Sequence, residues 1–225
     1  MHLINETTTH PARILIVDDH PAVREGLANR ISRQADMEVC GEACDGPDAI
    51  ALLVTSLPDV AIVDITLKTG SGIDLIKQLK DLNPAVRVLV WSMHVDSVYA
   101  ERALRGGADG YINKEEATEH VIEAIREVLA GKLALNPLIV DQLMRRSIGG
   151  RPQSTGITPV ELLSDRELET YRLIGEGLST REISIRMNTH LRTVETYLAR
   201  TKKKFNFVSR QQLIHAASQW VLENR

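Results

Sequence analysis

Residues Arg13 to His20 read RILIVDDH, a run of four branched apolar residues that breaks abruptly on two aspartates. A run this short, apolar at every position and rich in β-branched residues, suits a strand buried on both faces. The same spelling recurs at Val60 to Asp64 (VAIVD), at Arg87 to Trp91 (RVLVW, then Ser92) and at Gly110 to Ile112 (GYI), with Glu38 to Ala43 as a fifth candidate. Between the runs, Val23 to Arg33, Asp48 to Leu53, Ile73 to Asp81, Val98 to Arg105 and Glu119 to Leu129 carry apolar residues at i, i+3 and i+4. Parallel pairing needs crossover helices, so strand and helix in alternation predict a five-stranded parallel sheet, doubly wound with helices on both faces, as in flavodoxin-like folds. Ligands of such sheets sit at the carboxyl ends of the strands, so the residues ending each apolar run carry the functional reading.

The whole chain has 225 residues, 43% hydrophobic and 25% charged, a composition that excludes disorder, collagen and a disulfide scaffold. The net charge of −3 conceals an asymmetry: Ser164 to Arg225 carries +4 and the rest −7, an acidic front and a basic back. Between them Arg145 to Leu163 (RRSIGGRPQSTGITPVELL) is rich in Gly, Pro, Ser and Thr and has neither period. The expected division is therefore 12–132 for the sheet domain, 133–162 for a linker with a short helix over Leu133 to Arg146, and 163–225 for a helical domain. No stretch approaches the ~20 apolar residues of a membrane span and Met1 to Pro11 is polar, so the chain is expected in the cytoplasm, away from membranes. Cys40 and Cys44 lack a second pair or nearby His and read as packing. Neither an internal repeat nor a low-complexity tract is present.

The strand ends converge on one chemistry. Asp18 and Asp19 close the first run and Asp64 the third, Ser92 ends the fourth, and Lys114 follows the fifth. Carboxylates gathered in one place repel, and a hard divalent cation such as Mg2+ with oxygen ligands relieves them. A carboxylate beside that cation and an ammonium is suited to attack phosphorus, because both positive groups stabilise phosphoryl oxygens.

These residues resemble a known family. LIVDDH from Leu15, VDITLKTGSG from Val63, VWSMH from Val90 and GADGYINK from Gly107 are similar to the motifs of a response-regulator receiver domain, in order, over about Arg13 to Ala130. The resemblance implies that Asp64 is the phospho-acceptor, that Asp18, Asp19, Asp64 and the backbone carbonyl of Thr66 bind Mg2+, and that Ser92 and Lys114 contact the phosphoryl group. It also implies that Tyr111 is an aromatic switch and that Thr66 and His94 tune the acyl-phosphate lifetime. The residues alone leave a second reading of Tyr111, a half-buried sheet aromatic with its hydroxyl in water. Lys68 stands where many receivers have Pro, which loosens the loop after the acceptor or adds positive charge there. His10 and His20 read as surface or packing residues.

In the back half, Ser164-Asp165-Arg166-Glu167 and Ser179-Thr180-Arg181-Glu182 both spell capping boxes and open two helices. A third run, Leu191 to Phe205, places Val194, Tyr197, Leu198 and Phe205 on one side and basic residues elsewhere, and a fourth, Ser209 to Leu222, closes an all-α four-helix domain. Two short helices joined by the tight Asn188 to His190 turn make a helix-turn-helix whose second helix enters the major groove of double-stranded DNA. Lys202, Lys203, Lys204 and Arg210 are placed for phosphates, and Arg192, Glu195, Thr196, Ala199 and Arg200 for base edges. SDRELE, GLSTREIS, RTVETY and SRQQL, from Leu163 to Arg210, resemble the LuxR-type helix-turn-helix that ends NarL/FixJ-type response regulators, which adds Thr180 and Thr193 to the DNA-contacting set. His190 replaces the usual Ser or Thr cap there, with Thr189 as a substitute, and Tyr197 replaces a common His.

The resemblance implies a transcriptional regulator rather than an enzyme, phosphorylated on Asp64 by a partner histidine kinase, dimerising when phosphorylated and binding promoter half-sites. Two rivals are a DNA-binding regulator that works without phosphorylation, its receiver serving dimerisation, and an Mg2+-dependent phosphatase using Asp64 as nucleophile. The complete acidic, Ser and Lys set opposes the first; the short uninterrupted chain and its basic module oppose the second.

Overall fold

A computed structural model describes residues 10–67, 70–93, 97–114, 118–148 and 159–223. The front half alternates as β1 (Ala12–Val17), α1 (Pro21–Ile31), β2 (Met37–Ala43), α2 (Gly46–Ser56), β3 (Val60–Val63), α3 (Gly72–Leu82), β4 (Arg87–Ser92), α4 (Ser97–Arg105), β5 (Gly110–Asn113) and α5 (Thr118–Leu129). A two-residue strand β6 (Ala134–Leu135) and helix α6 (Pro137–Ile148) follow. The strands are all parallel, in the order β2-β1-β3-β4-β5-β6.

The sheet thus has six strands where the sequence predicts five. Ala134 and Leu135 pair with Gly110 and Tyr111, so the sheet reaches past residue 132 and the segment placed in the linker contributes its edge. Two residues carry no alternation that a period could reveal. Helix α6 begins at Pro137, four residues later than the sequence predicts, because Pro suits the first helical turn. Its Ile139 is buried with the domain, while Leu138 stays exposed.

The pleat sorts the apolar residues between two cores. Ile14 and Ile16 of β1 pack with Leu27, Ile31, Ile125 and Val128 from α1 and α5. Leu15 and Val17 point the other way, to Ala49, Leu53, Ile76, Leu79 and Ala103 from α2, α3 and α4. The strand order reverses direction between β1 and β3, and their carboxyl ends open the crevice where such sheets bind ligands. Gly72, at the start of α3, is held against the loop after β3: a Cβ there would lie 2.4 Å from the Asp64 carbonyl oxygen and 2.5 Å from the Ile65 Cα. Only glycine permits that approach.

The back half contains α7 (Asp165–Gly175), α8 (Thr180–Arg186), α9 (Leu191–Lys204) and α10 (Arg210–Glu223). Both capping boxes form: Ser164 caps α7 with Glu167 reaching back, and Ser179 caps α8 with Glu182 doing the same. Asn188 adopts φ +47°, turning the chain between α8 and α9. His190 occupies the N-cap of α9 and its side chain makes no cap hydrogen bond, so neither it nor Thr189 supplies the expected side-chain cap. The core is aromatic, with Tyr171 stacked on Phe205 at 5.1 Å between centroids and Trp220 5.8 Å from Tyr171. Burial pushes the Tyr171 phenol up to about 12.

At the opposite edge of the sheet from the crevice, Asp109 accepts hydrogen bonds from Lys80 (2.7 Å), Arg87 (2.9 Å) and the Val88 N–H (2.9 Å). Burial raises its pKa, and these three donors outweigh burial and hold the carboxyl below its usual range. Asp109→Ala strands two cations and an amide, and is expected to lower stability by about 2 kcal/mol at neutral pH. The depressed pKa means this contribution is complete above the ordinary carboxylate pKa and disappears as pH falls through the folded value. Urea unfolding of wild type and variant at pH 7 and at acid pH should show the difference shrinking on acidification; a pH-independent gap would assign the loss to packing.

Candidate functional site

The strand ends bring the five sequence-predicted residues to one edge. Asp18 and Asp19 leave β1, Asp64 leaves β3, Ser92 ends β4 and Lys114 follows β5. Asp18, Asp19 and Asp64 are 1%, 5% and 3% exposed and Ser92 is fully buried, so the charged cluster lies beneath the surface. The Lys114 ammonium bridges two of the carboxylates, 2.5 Å from Asp18 Oδ2 and 2.7 Å from Asp64 Oδ2, and stands 5.6 Å from the centre of the Trp91 ring. The other Asp64 oxygen accepts the Thr66 N–H at 3.0 Å. Burial pushes the Asp64 carboxyl up, and the Lys114 charge and hydrogen bond only partly offset it.

Carboxylate oxygens of Asp18, Asp19 and Asp64, with a His20 nitrogen, all lie within 4.8 Å of one another. Three buried carboxylates gathered at one point offer oxygen ligands of the kind that fit a hard cation such as Mg2+. Thr66 follows Asp64 on the same loop, and its N–H is the part of it seen to engage the cluster.

His20 is exposed, as the sequence reading expects, and also reaches the rim of the site. Its Nδ1 is 2.8 Å from Asp19 Oδ1 and 3.3 Å from Asp18 Oδ1, while its ring is 60% exposed. Arg24, one turn into α1, donates to the Asp18 carbonyl at 2.6 Å. The adjacency of His20 to the aspartates was visible in the sequence; the reach of Arg24 depends on the angle at which α1 leaves β1. Tyr111 is fully buried beside Val90 in the sheet. The reading that leaves its hydroxyl in water is overturned, because α4 covers that side of β5. Lys68, His94 and the central linker, residues 149–158, lie outside the described residues.

The second candidate surface is α9. Arg192, Glu195, Thr196, Ala199, Arg200 and Lys203 are exposed, with Thr193 and Lys202 half-buried, while Val194, Leu198 and Thr201 face the core. Thr180 opens α8 and Arg210 opens α10. Thr196 turns its hydroxyl back to the Arg192 carbonyl at 2.9 Å. Lys204 differs from its neighbours: its ammonium donates to Glu167 Oε2 at 2.6 Å and to the Leu162 carbonyl at 2.8 Å. It ties the end of α9 to the entrance of the domain, a role that the run of three lysines gave no means of separating from phosphate contact.

The two halves meet through α3 and α4. Asp165 receives Lys77 at 2.6 Å and Arg102 at 2.8 Å, and Arg102 also donates to the Leu163 carbonyl at 2.6 Å. Arg166 pairs with Asp74 at 2.9 Å, Tyr99 lies 6.1 Å from Trp220, and the Gly70 N–H donates to the Arg186 carbonyl at the end of α8. The exposed face of α9 stays clear of this contact. Burial raises the Asp165 pKa, and Lys77 and Arg102 more than reverse it, so the carboxyl sits below its usual range and the contact is complete at neutral pH. Asp165→Ala is expected to loosen the two halves without unfolding either. Small-angle scattering would register a larger radius of gyration at an unchanged melting temperature; an unchanged profile would show that the Tyr99–Trp220 contact suffices.

Comparison with known proteins gives a concordant result. The model of the response regulator receiver domain matches residues 14–126, and that of the luxR family of bacterial regulatory proteins matches residues 161–217. The chain is 33% identical over 208 residues to the oxygen regulatory protein NreC of Staphylococcus carnosus, covering 91% of this chain and 96% of that protein. A LuxR-family two-component response regulator from Aurantimonas sp. SI85-9A1 is 34% identical, with a TM-score of 0.59 over 62% of this chain and 99% of that one. RcsB from Salmonella enterica serovar Typhimurium, solved on promoter DNA with a phosphomimetic, shares the fold at 24% identity and TM-score 0.68, over 93% of this chain and 100% of that one.

Proposed function

Because the chain belongs to the NarL/FixJ-type response regulators, DNA-binding transcription regulators that join a receiver to a LuxR-type module, we propose that Asp64 accepts a phosphoryl group from a partner histidine kinase and thereby controls DNA binding. The observation that carries this reading is the Lys114 ammonium lodged between Asp18 and Asp64 at the crevice. One Asp64 oxygen is held by the Thr66 N–H and the other by Lys114, so the carboxylate is fixed in orientation. In the transfer, an Asp64 oxygen attacks phosphorus, the bond to the histidine nitrogen breaks, and the imidazole leaves and takes up a proton.

Asp18, Asp19, Asp64 and the Thr66 carbonyl would hold Mg2+, which supplies charge stabilisation to the transferring phosphoryl oxygens. Lys114 exchanges its bond to Asp64 for one to a phosphoryl oxygen, and the Ser92 hydroxyl supplies a further donor. The added group carries roughly −1.5 to −2 charges, and the tightening of Ser92 and Lys114 around it is the switch. Tyr111, between Ser92 and α4, is the side chain through which that movement passes into α4 and the contact with α7. The outcome is a population shift toward a dimer whose two α9 helices occupy neighbouring half-sites, each raising the effective concentration of the other. On this reading Arg192, Thr193, Thr196 and Arg200 face the DNA with Thr180, and Lys202, Lys203 and Arg210 neutralise phosphates.

Asp64→Asn is expected to abolish Mg2+-dependent labelling by acetyl phosphate while leaving the melting temperature near that of the wild type. A phosphate-affinity gel reads this directly: a retarded band in the variant would remove Asp64 as the acceptor. Replacing Lys202 and Lys203 together by Ala should weaken binding to all sequences and lower the slope of log K against log salt by about two, near 0.9 for each phosphate lost. An unchanged slope in a filter-binding titration would take both lysines off the backbone.

A further inference from the structure

We infer that Glu195 is a specificity-determining residue of the DNA-reading helix and that its base is a cytosine, recognised through the N4 amino group. This deepens the DNA-binding reading above and rests on it. Among the described residues, no hydrogen bond or ion pair engages the Glu195 side chain, although it sits on the exposed side of α9. The fold draws nothing from the charge. Glu195 is the fifth residue of α9, past the first turn where a carboxylate would answer the helix dipole. The positions four residues away on either side are Leu191 and Ala199, so no i, i+4 cation is available. Arg192 lies one turn back and forms no ion pair with it.

A carboxylate on a surface that approaches phosphates is repelled by them, so its place there calls for a partner that donates hydrogen bonds. The major groove offers two amino groups, on adenine N6 and cytosine N4. Adenine carries its N7 acceptor beside N6, and a carboxylate, which has only acceptors, is repelled by it. Cytosine presents N4 beside a C–H and accommodates the carboxylate. The surroundings support a side chain that reaches outward: Glu195 rims a shallow groove of about 170 Å3 with Leu198, Ala199, Lys202, Arg210 and Leu213. The methyl of Ala199, one turn on, leaves space beside the carboxylate, and Lys202 and Arg210 on the same groove moderate its repulsion from the DNA backbone.

The test is selection from a randomised duplex library by the full-length protein, with Mg2+ and acetyl phosphate, using the wild type, Glu195→Ala and Glu195→Gln. The wild type is expected to enrich a site with a fixed cytosine. Glu195→Ala should keep the other positions and lose preference for that cytosine by about tenfold, while binding unselected DNA at least as tightly, since a negative charge is gone. Glu195→Gln, which gains a donor, should shift the preference toward adenine. A probe whose critical cytosine is replaced by 2-pyrimidinone, lacking the N4 amino group, should weaken the wild type and leave Glu195→Ala unaffected. A site whose pattern survives Glu195→Ala overturns this assignment alone. A wild type that enriches no sequence overturns it together with the DNA-binding reading.

Discussion

One ammonium sits where two strands deliver carboxylates, and much of the front domain is arranged to allow it. Lys114 pairs with both Asp18 and Asp64, and all three groups are nearly sealed from water. Removing the ammonium from such a cluster leaves buried carboxylates without their cation, a cost of several kcal/mol. The reversal of strand order between β1 and β3, the glycine that lets α3 press on the loop after β3, and the short β5 that ends just before Lys114 all bring these groups to one point.

The contact between the halves is built on the same economy of charge. Asp165, at the start of α7, is shared by Lys77 from α3 and Arg102 from α4, so one carboxylate joins two receiver helices to the DNA-binding module. The loop that carries Asp64 continues to Gly70, whose N–H meets the last carbonyl of α8 just before the turn into α9. The outward face of α9 remains open in this arrangement.

The acidic pair, Asp64, Ser92 and Lys114 were legible because each ends or follows an apolar run, and strand periodicity alone puts the ends of parallel strands on one edge. The capping boxes were legible for a similar reason, since their chemistry is local in sequence. What escaped depended on distance. β6 is two residues long and exists because Gly110 and Tyr111 present an unpaired edge. The burial of Tyr111 depends on where α4 lies, and the Asp165 pairs join residues 63 and 88 positions apart. His20 lies at the surface as read, and its contact with Asp19 adds to that reading.

Lys204 gives the recognition helix a fixed origin. Its bonds to Glu167 and to the Leu162 carbonyl fasten the end of α9 to a residue that precedes the first cap of the module. The natural unit for excision therefore begins upstream of Leu162, and a fragment started at Ser164 would keep every helix of the module while losing an anchor for α9. The chain entering the DNA-binding module is in this sense part of its reading head: where the tether begins helps set the angle at which α9 is presented.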